Sequence, residues 1–154
     1  MKKLILLLLF IPLVSFGQEI QKKDKTFDKT FYELTQTALY LDDVPLFRSC
    51  KNVLKSEQGI CFQKKIQKHI INHFYYPKYA QNRGIQGRVF IQFIIEKDGS
   101  ISEIKTRGPD KSLEDVAVKI IKKLPKLIPG KINGKPVRVP YSIPITWKLT
   151  LTKT

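Results

Sequence analysis

This sequence is poor in the side chains that do chemistry. Its 154 residues hold two cysteines, one methionine, one tryptophan and two histidines. There is no P-loop to cradle a phosphate and no nucleophile elbow. The two cysteines, Cys50 and Cys61, form no CxxC pair, which argues against a zinc site. Acidic residues are also scarce, 13 against 28 lysines and arginines, so the formal net charge is +15. Only one uninterrupted apolar run exists, residues 4–16, which excludes a multi-span membrane protein. Proline totals nine, yet residues 18–75 contain only Pro45. What remains is the ordinary material of a small folded domain. Hydrophobic residues make up 42% and charged residues 27%, and one domain of this size can bury a core.

The apolar run is an address label. Lys2 and Lys3 precede it, and Ser15-Phe16-Gly17 ends in a small residue. Thirteen residues fall short of the roughly 20 needed to span a bilayer. The expectation is a signal peptide over residues 1–17, cut to leave Gln18 as the mature N-terminus in the periplasm. An uncleaved inner-membrane anchor facing the periplasm is the alternative. No cysteine stands at the cut, which disfavours a lipid anchor. In an oxidising compartment, Cys50 and Cys61 are expected to form one disulfide.

Residues 18–60 read as a flexible lead-in followed by a short helical and loop extension. Within it, Phe31, Leu34, Ala38 and Leu41 have helical spacing, and residues 42–50 read as an extended loop. Phe62, Ile66, Ile70 and Phe74 then mark one face of a helix of about four turns. Pro77 ends it and starts a short helix that stops before Gly84. From Arg88 the period falls to two. Val89, Ile91, Phe93 and Ile95 share one face, and Asp98-Gly99 predicts a hairpin turn. Residues 101–106 form the return strand, with Ile101 and Ile104 spoiling its alternation as a bulge would. Ser112 is the expected N-cap of the next helix, with Asp115 in capping-box position. Leu113, Val116, Ala117, Ile120, Ile121 and Leu124 form its apolar stripe.

From Lys135 a long alternation resumes. Val137, Val139, Tyr141, Ile143, Ile145, Trp147, Leu149 and Leu151 share the odd parity, and Pro136, Pro140 and Pro144 the even one. Residues of one parity aim both backbone groups at one edge, so the even edge lacks three donors. Proline is excluded from central strands, which puts this strand at the sheet border, bonded inward through its odd residues. Beyond Pro144, the backbone of Thr146, Lys148 and Thr150 is intact for a visiting strand. Trp147 falls on the apolar side by parity and belongs to the core.

The order of these pieces resembles the C-terminal domain of the TonB family. The matching stretches are Tyr76-Pro77-Lys78-Tyr79-Ala80-Gln81, Gly84-Ile85-Gln86-Gly87-Arg88-Val89 and Phe93-Ile94-Ile95-Glu96-Lys97-Asp98-Gly99. Ile128-Pro129-Gly130-Lys131, Asn133-Gly134-Lys135-Pro136-Val137 and Ile143-Pro144-Ile145 follow in the same order. The resemblance implies a two-layer α+β fold over residues 61–154, an antiparallel three-stranded sheet with packed helices, preceded by the helical extension. It further implies a periplasmic protein that binds the TonB box of outer-membrane TonB-dependent receptors by strand addition, in energy-coupled transport. Tyr76 would lie near the receptor, and Ile145, Thr146, Trp147, Lys148, Leu149, Thr150 and Leu151 would form the docking strand. Inner-membrane motor proteins and a homodimer are further partners the resemblance allows. A full transducer also has an uncleaved anchor and a proline-rich spacer, and residues 1–75 show neither pattern. The alternative is therefore an envelope interaction or dimerisation module with no energy-transducing role.

No enzymatic activity and no cofactor are expected. His69 and His73 stand four apart on a helix, a spacing that can chelate zinc, but no glutamate adjoins His69 and no third ligand is evident. The expectation is two helix-surface histidines and no metal. The charge would draw an exported protein toward anionic envelope polymers, and export argues against nucleic acid as a partner.

Overall fold

The alternation in residues 87–95 becomes the central strand. The computed structural model describes residues 38–149, and β1 (Gly87–Ile95) lies between β2 (Ile101–Arg107) and the last strand, β5 (Val139–Trp147), in the order β2-β1-β5. Both pairings are antiparallel. The fold is thus the expected α+β arrangement of a three-stranded antiparallel sheet with helices on one face. The leader, the lead-in up to Thr37, and Thr150 and Leu151 lie outside the described residues.

The β1–β2 turn is where sequence and geometry agree most closely. Gly99 takes φ +84°, its N–H donates to the Glu96 carbonyl at 2.8 Å, and Asp98 Oδ1 accepts the Ser100 N–H at 2.9 Å. The Ser100 hydroxyl and Lys126 bond the same carboxylate, and together they hold Asp98 well below the usual carboxylate range. The irregular return strand is a bulge. The register slips between Gln92 and Ile94, and Glu103 adopts φ +47° there.

Among the described residues, α-helices α1 (Gln58–His73), α2 (Lys78–Asn82) and α3 (Lys111–Lys122) flank the sheet. Pro77 caps α2 with extended dihedrals, as its fixed φ and missing N–H favour. The N-cap of α3 corrects the expectation. Asp110, not Ser112, is the capping residue, and its Oδ1 accepts the Ser112 N–H at 2.8 Å. Ser112 has become the second helical residue and donates its hydroxyl to the same oxygen. Asp115 cannot reach back to close a capping box and pairs with Lys111 instead. Leu113, Val116, Ala117, Ile120 and Ile121 of α3 pack on the β1 residues Val89, Ile91, Phe93 and Ile95, all buried. Phe62 and Ile66 bring α1 onto the same side.

The second correction concerns the final alternating run. It does not form one strand from Lys135. Asn133 and Gly134 adopt positive φ and close a small hairpin of β3 (Lys131–Ile132) and β4 (Lys135–Pro136). Only after it does β5 (Val139–Trp147) begin. Pro136 therefore lies opposite Lys131, and two prolines rather than three mark the outer parity of β5.

The stretch expected to be a plain extended loop ties the hairpin to α1. Leu46 and Ile128 exchange both backbone bonds, and the Asp42 carboxylate accepts the Asn133 N–H. Leu46 and Phe47 are buried in the core. Cys50 and Cys61 are joined as expected, with Cα atoms 5.9 Å apart. This short closed loop contributes about 3 kcal/mol in the chain-entropy account. Among the described residues no helix is long and apolar enough to cross a membrane.

Candidate strand-docking site

The site begins with β5, which pairs with β1 across nine residues from Gly87↔Trp147 to Ile95↔Val139. No other described strand adjoins it. Pro140 and Pro144 face Ile94 and Phe90 in this register. Neither proline has an N–H to exchange, so the pairs that exchange hydrogen bonds are the odd ones. The outward edge then presents the backbone of Pro140, Ser142, Pro144 and Thr146. Of these, Ser142 and Thr146 keep an amide donor.

The odd side chains point to the helices. Ile145 and Trp147 are buried, and the Trp147 indole N–H donates to the Tyr75 carbonyl at 3.1 Å. Trp147 is thus the core residue its parity indicated. Ile145 and Trp147 thus face inward from β5, while Thr146 between them is exposed. Lys148 and Leu149 follow the strand, and the Leu149 N–H donates to Gln86 Oε1 at 3.2 Å. Tyr76 is half-buried, and its hydroxyl donates to the Ile85 carbonyl at 2.5 Å. It ties the segment after α1 to the start of β1, leaving Phe74, Tyr75 and Tyr79 as the exposed aromatics nearby.

Helix α1 runs alongside β5 and supplies a second wall. Near the start, the Phe62 ring meets the Tyr141 ring edge-on at 5.3 Å, and Gln63 donates to the Tyr141 hydroxyl. Burial raises the Tyr141 phenol above its ordinary value, so it stays neutral. At the far end, Phe74 lies 5.2 Å from the Trp147 ring. Between these contacts a groove of about 480 Å³ opens, lined by Ile66, Ile70 and Ile71 of α1, by Phe74 just after it, and by Ile143 and Thr146 of β5, among others. The sequence reading missed this wall. The available signal was Ile71, an apolar residue off the core stripe of α1 that is 72% exposed.

The histidines are occupied by carbonyls. His69 Nε2–H donates to the Ile120 carbonyl and His73 Nδ1–H to the His69 carbonyl, both at 2.9 Å. Burial, with smaller contributions from His73 and Lys123, holds the His69 pKa below its ordinary value. Among the described residues no group of three His, Cys, Asp or Glu could hold a metal ion.

A border strand, a helix-walled groove and a proline-marked edge invite comparison with known proteins. The family model for the C-terminal region of the Gram-negative bacterial TonB protein matches residues 72–149, half of the chain. The chain belongs to the TonB C-terminal family. Protein TonB of Helicobacter pylori strain J99 is 38% identical over 83 residues, covering 53% of this chain and 30% of that protein. Protein TonB of H. pylori strain 26695 is also 38% identical over 83 residues, covering 29% of its length. The chain thus spans less than a third of these TonB relatives. The solution structure of the H. pylori TonB C-terminal domain matches with a TM-score of 0.47 and 30% identity, covering 66% of this chain and 89% of that one. The TonB family match begins at Asn72, so most of α1 and the disulfide-bonded extension lie ahead of it.

Proposed function

We propose that this protein binds the TonB box of outer-membrane TonB-dependent receptors as an added strand outside β5. The observation that carries this reading is the outer edge of β5, which keeps amide donors at Ser142 and Thr146 beside an apolar groove. Backbone bonds to that edge supply affinity and register, and alternate guest side chains entering the groove supply selectivity. The added strand would sit between β5 and α1. Thr146 and Lys148 are the described residues of the outward parity beyond Pro144. The role is binding rather than catalysis, and no cofactor takes part.

Export by the leader would place the protein in the periplasm, where it meets the receptors' inner mouths. Cleavage after Gly17 makes it a receptor-binding module; retention makes it an anchored component that can meet the inner-membrane motor and transmit force. The N-terminal mass of the protein isolated from its native envelope separates the two. Strand addition is tested by titrating isotope-labelled protein with a TonB-box peptide. Amide shifts are expected in residues 142–149 and in the half of α1 that lines the groove. Binding that leaves these amides unmoved while shifting β2 would sink the proposal.

A further inference from the structure

The sheet has a second face, turned away from the helices, and the docking reading makes no use of it. Directly paired residues of an antiparallel sheet point to the same face. Phe90 pairs with Arg107 on one side and Pro144 on the other; Arg88 pairs with Thr146, and Gln92 with Lys105. These residues therefore share the open face. Phe90 lies in the first half of the central strand, toward the Trp147 end of β5, and is 49% exposed. The Arg88 guanidinium carbon lies 6.0 Å from the centre of its ring. Beside Phe90 these rows present two exposed arginines, Arg88 and Arg107. Toward the hairpin end, Glu96 and Glu103 are both engaged by Arg138. Toward that end the face also closes, since Ile94 and Pro140 are buried. The exposed aromatic and its cations are thus concentrated at the end of the sheet where β5 finishes.

From this arrangement we propose that the open face of the sheet docks on a bilayer surface carrying anionic phospholipid headgroups. The charge complementarity is direct. Arginine donates in a planar fork that fits a phosphate, and an aromatic ring between cations inserts at the headgroup boundary. A flat, uncharged apolar face would not choose an anionic surface, and a cationic face without the ring would have nothing to insert. Single-stranded nucleic acid fits less well, because such sites stack successive bases on several aromatic side chains and this face offers one. Docked this way, the sheet lies along the membrane with the β5 edge held beside it. This placement needs no receptor and stands whether or not strand addition occurs.

The test uses the purified protein with vesicles of phosphatidylcholine alone or mixed with about one-third phosphatidylglycerol. Sedimentation with the anionic vesicles only is expected, reversed by salt as the surface charge is screened. Each cation removed should weaken binding about fivefold, so R88Q/R107Q should lose about 25-fold. The control K64Q/K68Q removes two exposed cations from α1, on the opposite side of the sheet, and should change binding less than twofold. Phe90→Trp supplies an insertion probe, because the native Trp147 is buried. Its emission should move to the blue with anionic vesicles and not with neutral ones. Thermal unfolding confirms that each variant is folded, as expected for exposed positions. Equal losses in the two double variants, binding to neutral vesicles, or an unmoved emission from the Phe90→Trp variant would each overturn the proposal. So would a single-stranded oligonucleotide that displaces the vesicles from this face.

Discussion

Replacing Thr146 by proline asks whether the outer edge of β5 is where a guest strand bonds. Thr146 faces Arg88 across a pair that shares its parity with Pro144 and Pro140. Its N–H therefore points away from β1, and proline there removes no bond of the native ladder. Ile145, the residue before it, is already extended, which is what a following proline requires. The folded protein should lose no more than about 1 kcal/mol, from strand propensity, and about 2–8 °C in melting temperature. A bound guest fares differently. It loses one backbone bond, and its carbonyl is left without a partner against the wall formed by Ile70, Ile71 and Phe74. An unpaired, shielded carbonyl costs about 1–3 kcal/mol, which corresponds to a dissociation constant about 5- to 150-fold weaker. Thr146→Val keeps the N–H and should bind within about twofold of the parent. The assay is titration of a labelled TonB-box peptide followed by anisotropy, with amide spectra to verify the fold. Two results would refute the reasoning. If Thr146→Pro folds and binds like the parent, the guest does not use this edge. If it unfolds the protein by about 3 kcal/mol or more, the Thr146 N–H belongs to the β1 ladder and the parity argument is wrong.

Other perturbations probe the scaffold that positions this edge. Gly99→Ala puts a Cβ 1.8 Å from the Leu127 carbonyl oxygen at φ +84°, and should cost about 3 kcal/mol or more, whereas Gly134→Ala meets no atom within 4 Å and should cost about 1 kcal/mol; chemical denaturation compares the two. The double variant Cys50→Ser with Cys61→Ser should lose about 3 kcal/mol and also weaken peptide binding, since the first turn of α1 would no longer be tied to the segment 41–50. An affinity unchanged by this loss would show that the α1 wall does not depend on the bond. His69 sets a pH dependence: its folded pKa lies below the unfolded value of 6.5, so the unfolded chain binds the extra proton first. Stability should therefore fall as pH drops through about 6.5 and level off below the folded pKa. His69→Gln should flatten that slope in melting curves from pH 7.5 to 5; an unchanged slope would assign it to another group.

Much of the sheet was legible because its signals are local and mutually consistent. The alternation in residues 87–95, the Asp98-Gly99 turn and the prolines of β5 each encode a backbone requirement that no distant contact can override. The broken alternation at Ile101 and Ile104 already announced the bulge that Glu103 makes. Where two residues could play one part, the sequence was ambiguous. Asp110 and Ser112 are both good caps, and only the helix start at Lys111 selects between them. The odd-parity run from Lys135 was misleading because alternation does not mark where one strand ends and the next begins. The hairpin at Asn133-Gly134 takes Lys135 and Pro136 for itself, held by Asp42 and Asp43 from far up the chain. The groove was invisible for a related reason. It depends on where α1 comes to rest, and the disulfide and the bridges of Asp43 and Leu46 decide that.

The two borders of the sheet differ in a way that singles out β5. An open border is an aggregation hazard, and proteins usually defend it with bulges, charge or proline. The β2 border uses the first two. Its strand is broken by the Glu103 bulge, and the groove of about 470 Å³ beside it is lined by Glu103, Lys122 and Lys126 along with Ile101 and Ile104. A guest strand there would lose register at the bulge and would have to bring charged groups into line. The β5 border uses proline at two outward positions and leaves Ser142 and Thr146 between and beyond them. That spacing stops a second sheet from pairing along the whole strand, because any long partner meets two missing donors. It still permits a short segment at the Thr146 end, where the wall is Ile70, Ile71 and Phe74 rather than lysine and glutamate. Defence of this border is thus incomplete at one end, and that end is where the apolar groove lies.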